Sequence, residues 1–144
     1  MVNDITFADS CGFTIGVGMI SYISTLFSLS FPSYFTQKIR SQNELENVVN
    51  EEALLLGLDP KKIKCNYNEF TLFNFNNGCE NFVQQKKNHY QLQVSKSFLD
   101  SNRATVRHEL YHIKKGDLKN NSMLKYYFIN EPRAILYGSF KIQL

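Results

Sequence analysis

Residues 102–116 read NRATVRHELYHIKKG, and this stretch decides the fold of the chain. Val106, Leu110 and Ile113 recur at intervals of three and four residues, which is the spacing of one apolar helix face. Gly116 is placed to end the helix, since glycine is the residue most favoured just after a helix C-terminus. The stretch therefore predicts a helix whose apolar face is buried in the core of a small domain.

The two histidines of this stretch, His108 and His112, stand in the pattern H-E-x-x-H. On a helix this spacing puts both imidazoles on one face, one turn apart, where they can bind one metal ion at about 2.0–2.1 Å. Glu109 lies beside them, and its carboxylate can take a proton from a metal-bound water and pass it to a leaving amine. The alternative is a helix that carries two surface histidines. We favour zinc, because buried histidines beside a carboxylate are costly without a partner.

A catalytic zinc usually has three protein ligands and one open position, so the histidine pair needs a third ligand. Two carboxylates follow in the sequence, Asp117 and Glu131. We expect Glu131, in INEPRA at the start of the next helix, to be that ligand; its alternative role is a first-turn carboxylate that complements the helix dipole. Asp117 could accept the second N–H of a ligand histidine, but we favour an exposed turn position for it.

These residues carry a resemblance that covers about Asn102 to Tyr137. HELYH with a downstream NE is similar to the gluzincin metallopeptidases, whose third ligand is a glutamate on a following helix. NRATVRHELYHI, followed by Glu131-Pro132-Arg133-Ala134, resembles the short zinc-peptidase-like domains of the ImmA/IrrE type. The resemblance implies a small zincin-like domain that hydrolyses peptides with the help of Zn²⁺.

Transferred residue by residue, the resemblance implies that His108, His112 and Glu131 bind zinc and that Glu109 is catalytic. It also implies that an extended peptide binds along the edge of a strand such as YQLQVS (90–95). The tyrosine or histidine that stabilises the oxyanion in gluzincins has no clear counterpart in this chain. Four residues remain open for that role: Tyr126, Tyr127, Arg133 and Tyr137.

The rest of the chain predicts an α+β fold. Residues 41–57 have the periodicity of an amphipathic helix, and residues 63–94 are typical of β structure. Three strands are predicted in the latter region: FTLFNF (70–75), NFVQQ (81–85) and YQLQVS (90–95). A last helical region covers 122–140, and a new helix should begin near Asn130, because Pro132 suits a first helical turn. We expect a short antiparallel sheet packed on the histidine helix.

The N-terminal region is uncharged from Ser10 to Gln37. Its most apolar part, residues 11–31, has the length of a membrane-spanning helix, which needs about 20 residues. We therefore divide the chain into an N-terminal segment with a membrane helix, 1–40, and a zincin-like domain, 41–144. Basic residues follow the span, so the positive-inside tendency would place the catalytic part of this single-pass protein in the cytoplasm. The alternative is a soluble cytoplasmic protein in which this segment is buried.

The composition narrows the range of partners. A net charge of +3 is mild, and the lysine clusters are typical of a solvated face and not of a nucleic-acid site. The three cysteines have no C-x-x-C spacing, which argues against a disulfide framework or a cysteine-based zinc knuckle. We expect a peptide or protein substrate and no nucleic acid, and the sequence assigns no oligomeric state.

Three functions fit these observations. The first is zinc-dependent peptide hydrolysis, the second is a non-catalytic zinc-binding regulatory or interaction module, and the third is a structural domain without a metal. Metal content separates the third function from the other two. Glu109→Gln separates the first from the second, because only hydrolysis needs the general base.

Overall fold

The computed structural model describes residues 7–68, 82–96, 101–118 and 122–143, and within these ranges it describes the side chains except at 7–17, 30 and 34. The helices are α1 (Phe7–Ser30), α2 (Gln42–Leu55), α3 (Arg103–Lys115), α4 (Met123–Lys125) and α5 (Glu131–Phe140). A π-helical turn, Tyr126–Asn130, joins α4 to α5, and short 3₁₀ helices lie at Phe31–Phe35 and Pro60–Lys62. The strands are β1 (Ile63–Asn68), β2 (Phe82–Gln85) and β3 (Tyr90–Ser95). The α+β class is confirmed.

The described sheet is mixed, with the strand order β1-β3-β2. β3 is parallel to β1 and antiparallel to β2. The prediction of an antiparallel sheet is wrong for the first of these pairs, because β1 pairs with β3 and not with its neighbour in the sequence. YQLQVS is therefore the middle strand of the described sheet and not an edge. The predicted strand at 70–75 lies outside the described residues.

The core lies between α2, the sheet and α3. Ser41 caps α2, and its hydroxyl accepts a hydrogen bond from the Glu44 N–H at 3.2 Å. The apolar faces of these elements meet in one cluster that includes Leu45, Val48, Val49 and Ala53 of α2, Leu92 and Val94 of β3, and Val106 and Leu110 of α3. This burial fixes the rotation of α3 about its axis and leaves its histidine face for α5.

α3 and α5 approach closely because Gly138 has no side chain at the point where they meet. A Cβ atom at Gly138 would lie 2.8 Å from the Ala104 carbonyl oxygen and 3.2 Å from the Cβ of His108. Nearby, the rings of Tyr111 and Tyr137 stack with their centroids 4.7 Å apart. This packing brings the first turn of α5 to the histidine face of α3.

The expectation of a membrane-spanning helix over about 11–31 is not supported. Residues 11–30 are helical, as part of α1, but no helix among the described residues is both long and apolar enough to cross a membrane. Hydroxyl side chains interrupt its apolar sequence, and those of Thr25 and Ser28 donate to the carbonyls of Ser21 and Ser24 at 2.8 and 2.9 Å.

The chain that follows α1 joins the core. The side chain of Ile39 is buried, and its N–H donates to the Ser101 carbonyl at 2.9 Å. The Arg103 N–H donates to the Gln37 carbonyl, also at 2.9 Å. The division expected at residue 40 therefore falls beside backbone that is hydrogen-bonded to the start of α3.

Candidate metal centre

His108 and His112 of α3 and Glu131 of α5 bring three metal-binding atoms together. The Nε2 atoms of the two histidines are 3.2 Å apart; that of His108 lies 3.3 Å from Oε2 of Glu131, and that of His112 lies 3.3 Å from Oε1. A tetrahedral ion with bonds of about 2.0–2.1 Å holds its ligand atoms about 3.3 Å apart. The distance between the two Nε2 atoms therefore fits two ligands of one ion, and Glu131 offers each histidine an oxygen at a similar spacing. With ligand atoms that all lie within 4.8 Å of one another, this group could hold a metal.

A hydrogen bond at its other ring nitrogen, Nδ1, orients His112. Its Nδ1 lies 3.0 Å from Oδ2 of Asp117, whose other oxygen accepts a hydrogen bond from Arg133. Ligand histidines usually donate their second N–H in this way, which leaves the Nε2 lone pair for the metal. The expected exposed turn position for Asp117 is wrong, since the residue is only 7% exposed. The carboxylate can be buried because Arg133 and the imidazole of His112 both pair with it.

Glu109 lies on the same turn of α3 and is largely buried. Burial raises the pKa of its carboxyl, and the positive charges of His108 and His112 and a backbone hydrogen bond from Val83 oppose this rise only in part. A carboxyl with a raised pKa can accept a proton and return it near neutral pH. The electrostatics of Glu109 therefore suit a group that takes up and releases a proton.

The candidate ligand residues shift one another's pKa values. Burial favours the neutral form of Glu131, but hydrogen bonds from His108, His112 and Tyr126 hold its pKa well below the usual range. Burial also favours neutral His112, but the carboxylates of Glu131 and Asp117 raise its pKa. In the metal-free site these two shifts favour an ion pair between the protonated His112 imidazole and the ionised Glu131 carboxylate. A divalent cation would replace the positive charge of that proton.

Of the four residues considered for oxyanion stabilisation, Tyr126 lies at the ligands. Its ring stacks on the imidazole of His112 with the centroids 5.9 Å apart and the planes 16° from parallel. Its side chain also hydrogen-bonds to the carboxylate of Glu131. A phenol hydroxyl is thereby held beside the candidate ligands, within reach of an oxygen that binds there.

The other three residues have different partners. Tyr137 is buried in the core against Tyr111, and burial and the negative charge of Glu52 raise the pKa of its phenol. Arg133 donates to Asp117. Tyr127 is exposed, and its ring meets that of Tyr126 edge-on. The geometry thus favours Tyr126 over these three.

A buried ion cluster that was not predicted from the sequence joins α3 to α2. Glu52 of α2 is fully buried, and one of its carboxylate oxygens lies 2.5 Å from Nε of Arg103 and 2.9 Å from Nε of Arg107. Since Arg107 directly precedes His108, the cluster ties the ligand-bearing turn to α2. A signal was present in the sequence: Glu52 stands on the apolar face of α2 next to Ala53, where a charge needs a partner.

Comparison with known proteins identifies no relative, since no family model, curated protein or solved structure matches the chain. The interpretation of the centre therefore depends on its own geometry and chemistry.

Proposed function

We propose that this chain is a zinc-dependent metallopeptidase of zincin-like fold. The observation that carries the proposal is the meeting of His108, His112 and Glu131 beside the buried Glu109: the two Nε2 atoms lie 3.2 Å apart, and each lies 3.3 Å from a different oxygen of the Glu131 carboxylate. Two histidines and one glutamate are a known ligand set of catalytic zinc, and they leave the fourth position open for water. The resemblance of the stretch around residues 102–137 to gluzincins and ImmA/IrrE-type domains supports the same assignment.

Zinc held by these residues would lower the pKa of a water ligand to near 7 and polarise the carbonyl of the scissile peptide bond. Glu109 would take the proton of the attacking water and deliver it to the leaving amine. Asp117 would keep His112 in the tautomer that binds the metal. The hydroxyl of Tyr126, which donates to Glu131 in the metal-free site, would redirect its one proton to the developing oxyanion once Glu131 binds the metal, a contribution of about 3–4 kcal/mol for one well-placed donor.

In the sheet formed by the described strands, the outer edge of β2 offers a place for an extended peptide. The Lys86 N–H donates to the His89 carbonyl at 2.8 Å, and hydrogen-bonded pairs alternate along an antiparallel ladder. Val83 and Gln85 therefore direct their backbone groups away from β3. Because Val83 also hydrogen-bonds to Glu109, this edge passes beside the general base. A substrate that adds a strand to β2 would place its peptide bonds next to the metal ligands.

The proposal is tested by measuring zinc content and hydrolysis of a fluorescence-quenched peptide library for the full chain and three variants. Wild type should hold zinc in equimolar amount and cleave peptides. His108→Ala should lose both properties. Glu109→Gln should keep the zinc and lose hydrolysis by at least about 100-fold, because only the general base is removed. His89→Ala, which changes a histidine next to the hairpin turn, is the matched control and should behave as wild type.

Each contrary result has its own meaning. Full hydrolysis by Glu109→Gln would refute the assigned role of that residue. Zinc binding by a wild type that cleaves no peptide would favour the non-catalytic zinc-binding module. A wild type that contains no zinc and gains none from solution would remove the metal centre itself.

A further inference from the structure

The residues before Glu131 form a π-helical turn, Tyr126–Asn130. The Glu131 N–H donates to the Tyr126 carbonyl, five residues back, whereas an α-helix would use the carbonyl of Tyr127, four residues back. Single π turns inside helices are rare, and they are frequent at functional sites. The register of this turn therefore needs a physical cause.

The π register places two groups of the candidate centre side by side. Residues five positions apart on an α-helix point about 140° away from each other, but a turn closed by i→i+5 hydrogen bonds brings them to the same side. Tyr126 and Glu131 are such a pair, and the Tyr126 side chain hydrogen-bonds to the Glu131 carboxylate while its ring stacks on His112. In the α register Tyr126 would turn away from the ligands.

The π register also deprives one carbonyl of its backbone donors. The Tyr127 carbonyl loses the Glu131 N–H, which donates to Tyr126 instead. The next residue that could donate to it is Pro132, and proline has no N–H. The hydroxyl of Tyr22, from α1, donates to this carbonyl, and the Tyr22 ring stacks on Phe128 with the centroids 4.9 Å apart.

We propose that Tyr22 is a positioning residue of the metal centre: its hydroxyl satisfies the Tyr127 carbonyl and thereby holds the π register that keeps Glu131 and Tyr126 together at the ligands. The inference rests on the proposed metal site for its functional consequence. It assigns to α1, which the sequence suggested as a membrane anchor, a direct part in the geometry of the third ligand. Without the hydroxyl, the α register gains relative stability, because there the Glu131 N–H itself satisfies the Tyr127 carbonyl.

The test is Tyr22→Phe in the full chain, which removes one hydroxyl and keeps the ring that stacks on Phe128. Zinc affinity, measured by competition with a chromophoric chelator, should fall about tenfold, the lower end of the range for residues that orient ligands. The visible absorption bands of the Co²⁺-substituted protein should change as well, because they report the ligand geometry. The matched control is Ser28→Ala, which removes an α1 hydroxyl that donates to the Ser24 carbonyl of its own helix; it should leave affinity and spectrum unchanged.

A second readout does not depend on the metal. The Glu131 N–H has a backbone acceptor in either register and exchanges when the turn opens. Loss of the Tyr22 hydrogen bond destabilises the π turn relative to that open form, so exchange of this amide in the metal-free protein, followed by mass spectrometry or NMR, should be faster in Tyr22→Phe than in wild type or Ser28→Ala. If wild type binds neither Zn²⁺ nor Co²⁺, the proposed function fails, and the exchange measurement alone decides the role of Tyr22. If wild type binds zinc, but Tyr22→Phe shows the same affinity, spectrum and exchange rate, the role of Tyr22 is refuted while the metal centre stands.

Discussion

The candidate centre has a histidine half, His108 and His112 on α3, and a glutamate half, Glu131 on α5, and the two are held in place differently. His108 and His112 lie on one regular helix, which Asn102 caps through a hydrogen bond from the Thr105 N–H at 3.1 Å. That helix has its apolar face in the core and ion pairs to α2. Glu131 instead follows a π turn whose side chains, apart from one, are exposed. The histidine half is therefore fixed by the core, and the glutamate half by a few specific contacts.

This difference predicts two kinds of failure. Substitutions in the ion cluster of Glu52, Arg103 and Arg107 should lower the stability of the whole domain, because this cluster joins α2 to the helix that carries both histidines. Changes around the glutamate half should weaken metal binding and leave the fold largely intact. Three measurements test this distinction.

The largest effect is expected for Glu52→Gln. The substitution leaves Arg103 and Arg107 without their buried carboxylate, and removal of one partner of a buried ion pair costs about 3–5 kcal/mol. Urea denaturation of the metal-free protein should show an unfolding free energy lower by about 3 kcal/mol. The control is Glu51→Gln, because Glu51 also pairs with Arg103 but its side chain is 60% exposed; its loss should be below about 1 kcal/mol. Equal losses in the two variants would contradict the assigned role of the cluster.

The same difference explains how far the sequence predicts this protein. The helix that carries His108 and His112 is predictable, because periodicity and spacing are local properties of the chain. The parallel pairing of β1 with β3 and the burial of Asp117 beneath His112 are not, because both depend on distant segments coming together. The π register is the extreme case, since its contact with Tyr22 spans 105 positions.

An intermediate effect is expected for Asp117→Asn, which keeps the shape of the side chain and removes the charge that faces His112 and Arg133. Loss of such an orienting partner lowers metal affinity by about 10–100-fold, and we expect about tenfold because the amide oxygen can still accept the Nδ1–H. Chelator competition measures the affinity. Asp59→Asn, which changes the exposed cap of a short 3₁₀ helix, should have no effect. Unchanged zinc affinity in Asp117→Asn would show that the His112–Asp117 contact does not orient the ligand.

The smallest effect is a pH dependence that links the two halves. The carboxylates of Glu131 and Asp117 raise the pKa of His112 despite its burial, so the charged imidazole stabilises the metal-free fold below the ordinary histidine pKa. That stabilisation is lost as pH rises through the raised pKa. Glu131 stays ionised throughout this range, because its own pKa is held low.

Zinc needs the neutral imidazole, so its affinity should increase with pH across the same window, by at most about tenfold per pH unit for each proton displaced. Titration of zinc affinity between about pH 5.5 and pH 8 in wild type and Asp117→Asn measures this slope. The variant should reach its plateau at lower pH, because one of the carboxylates that raise the His112 pKa is gone. A plateau that begins at the same pH in both proteins would mean that Asp117 does not set the protonation of His112. The charge of that imidazole would then depend on the other carboxylates around it, Glu131 and Glu109.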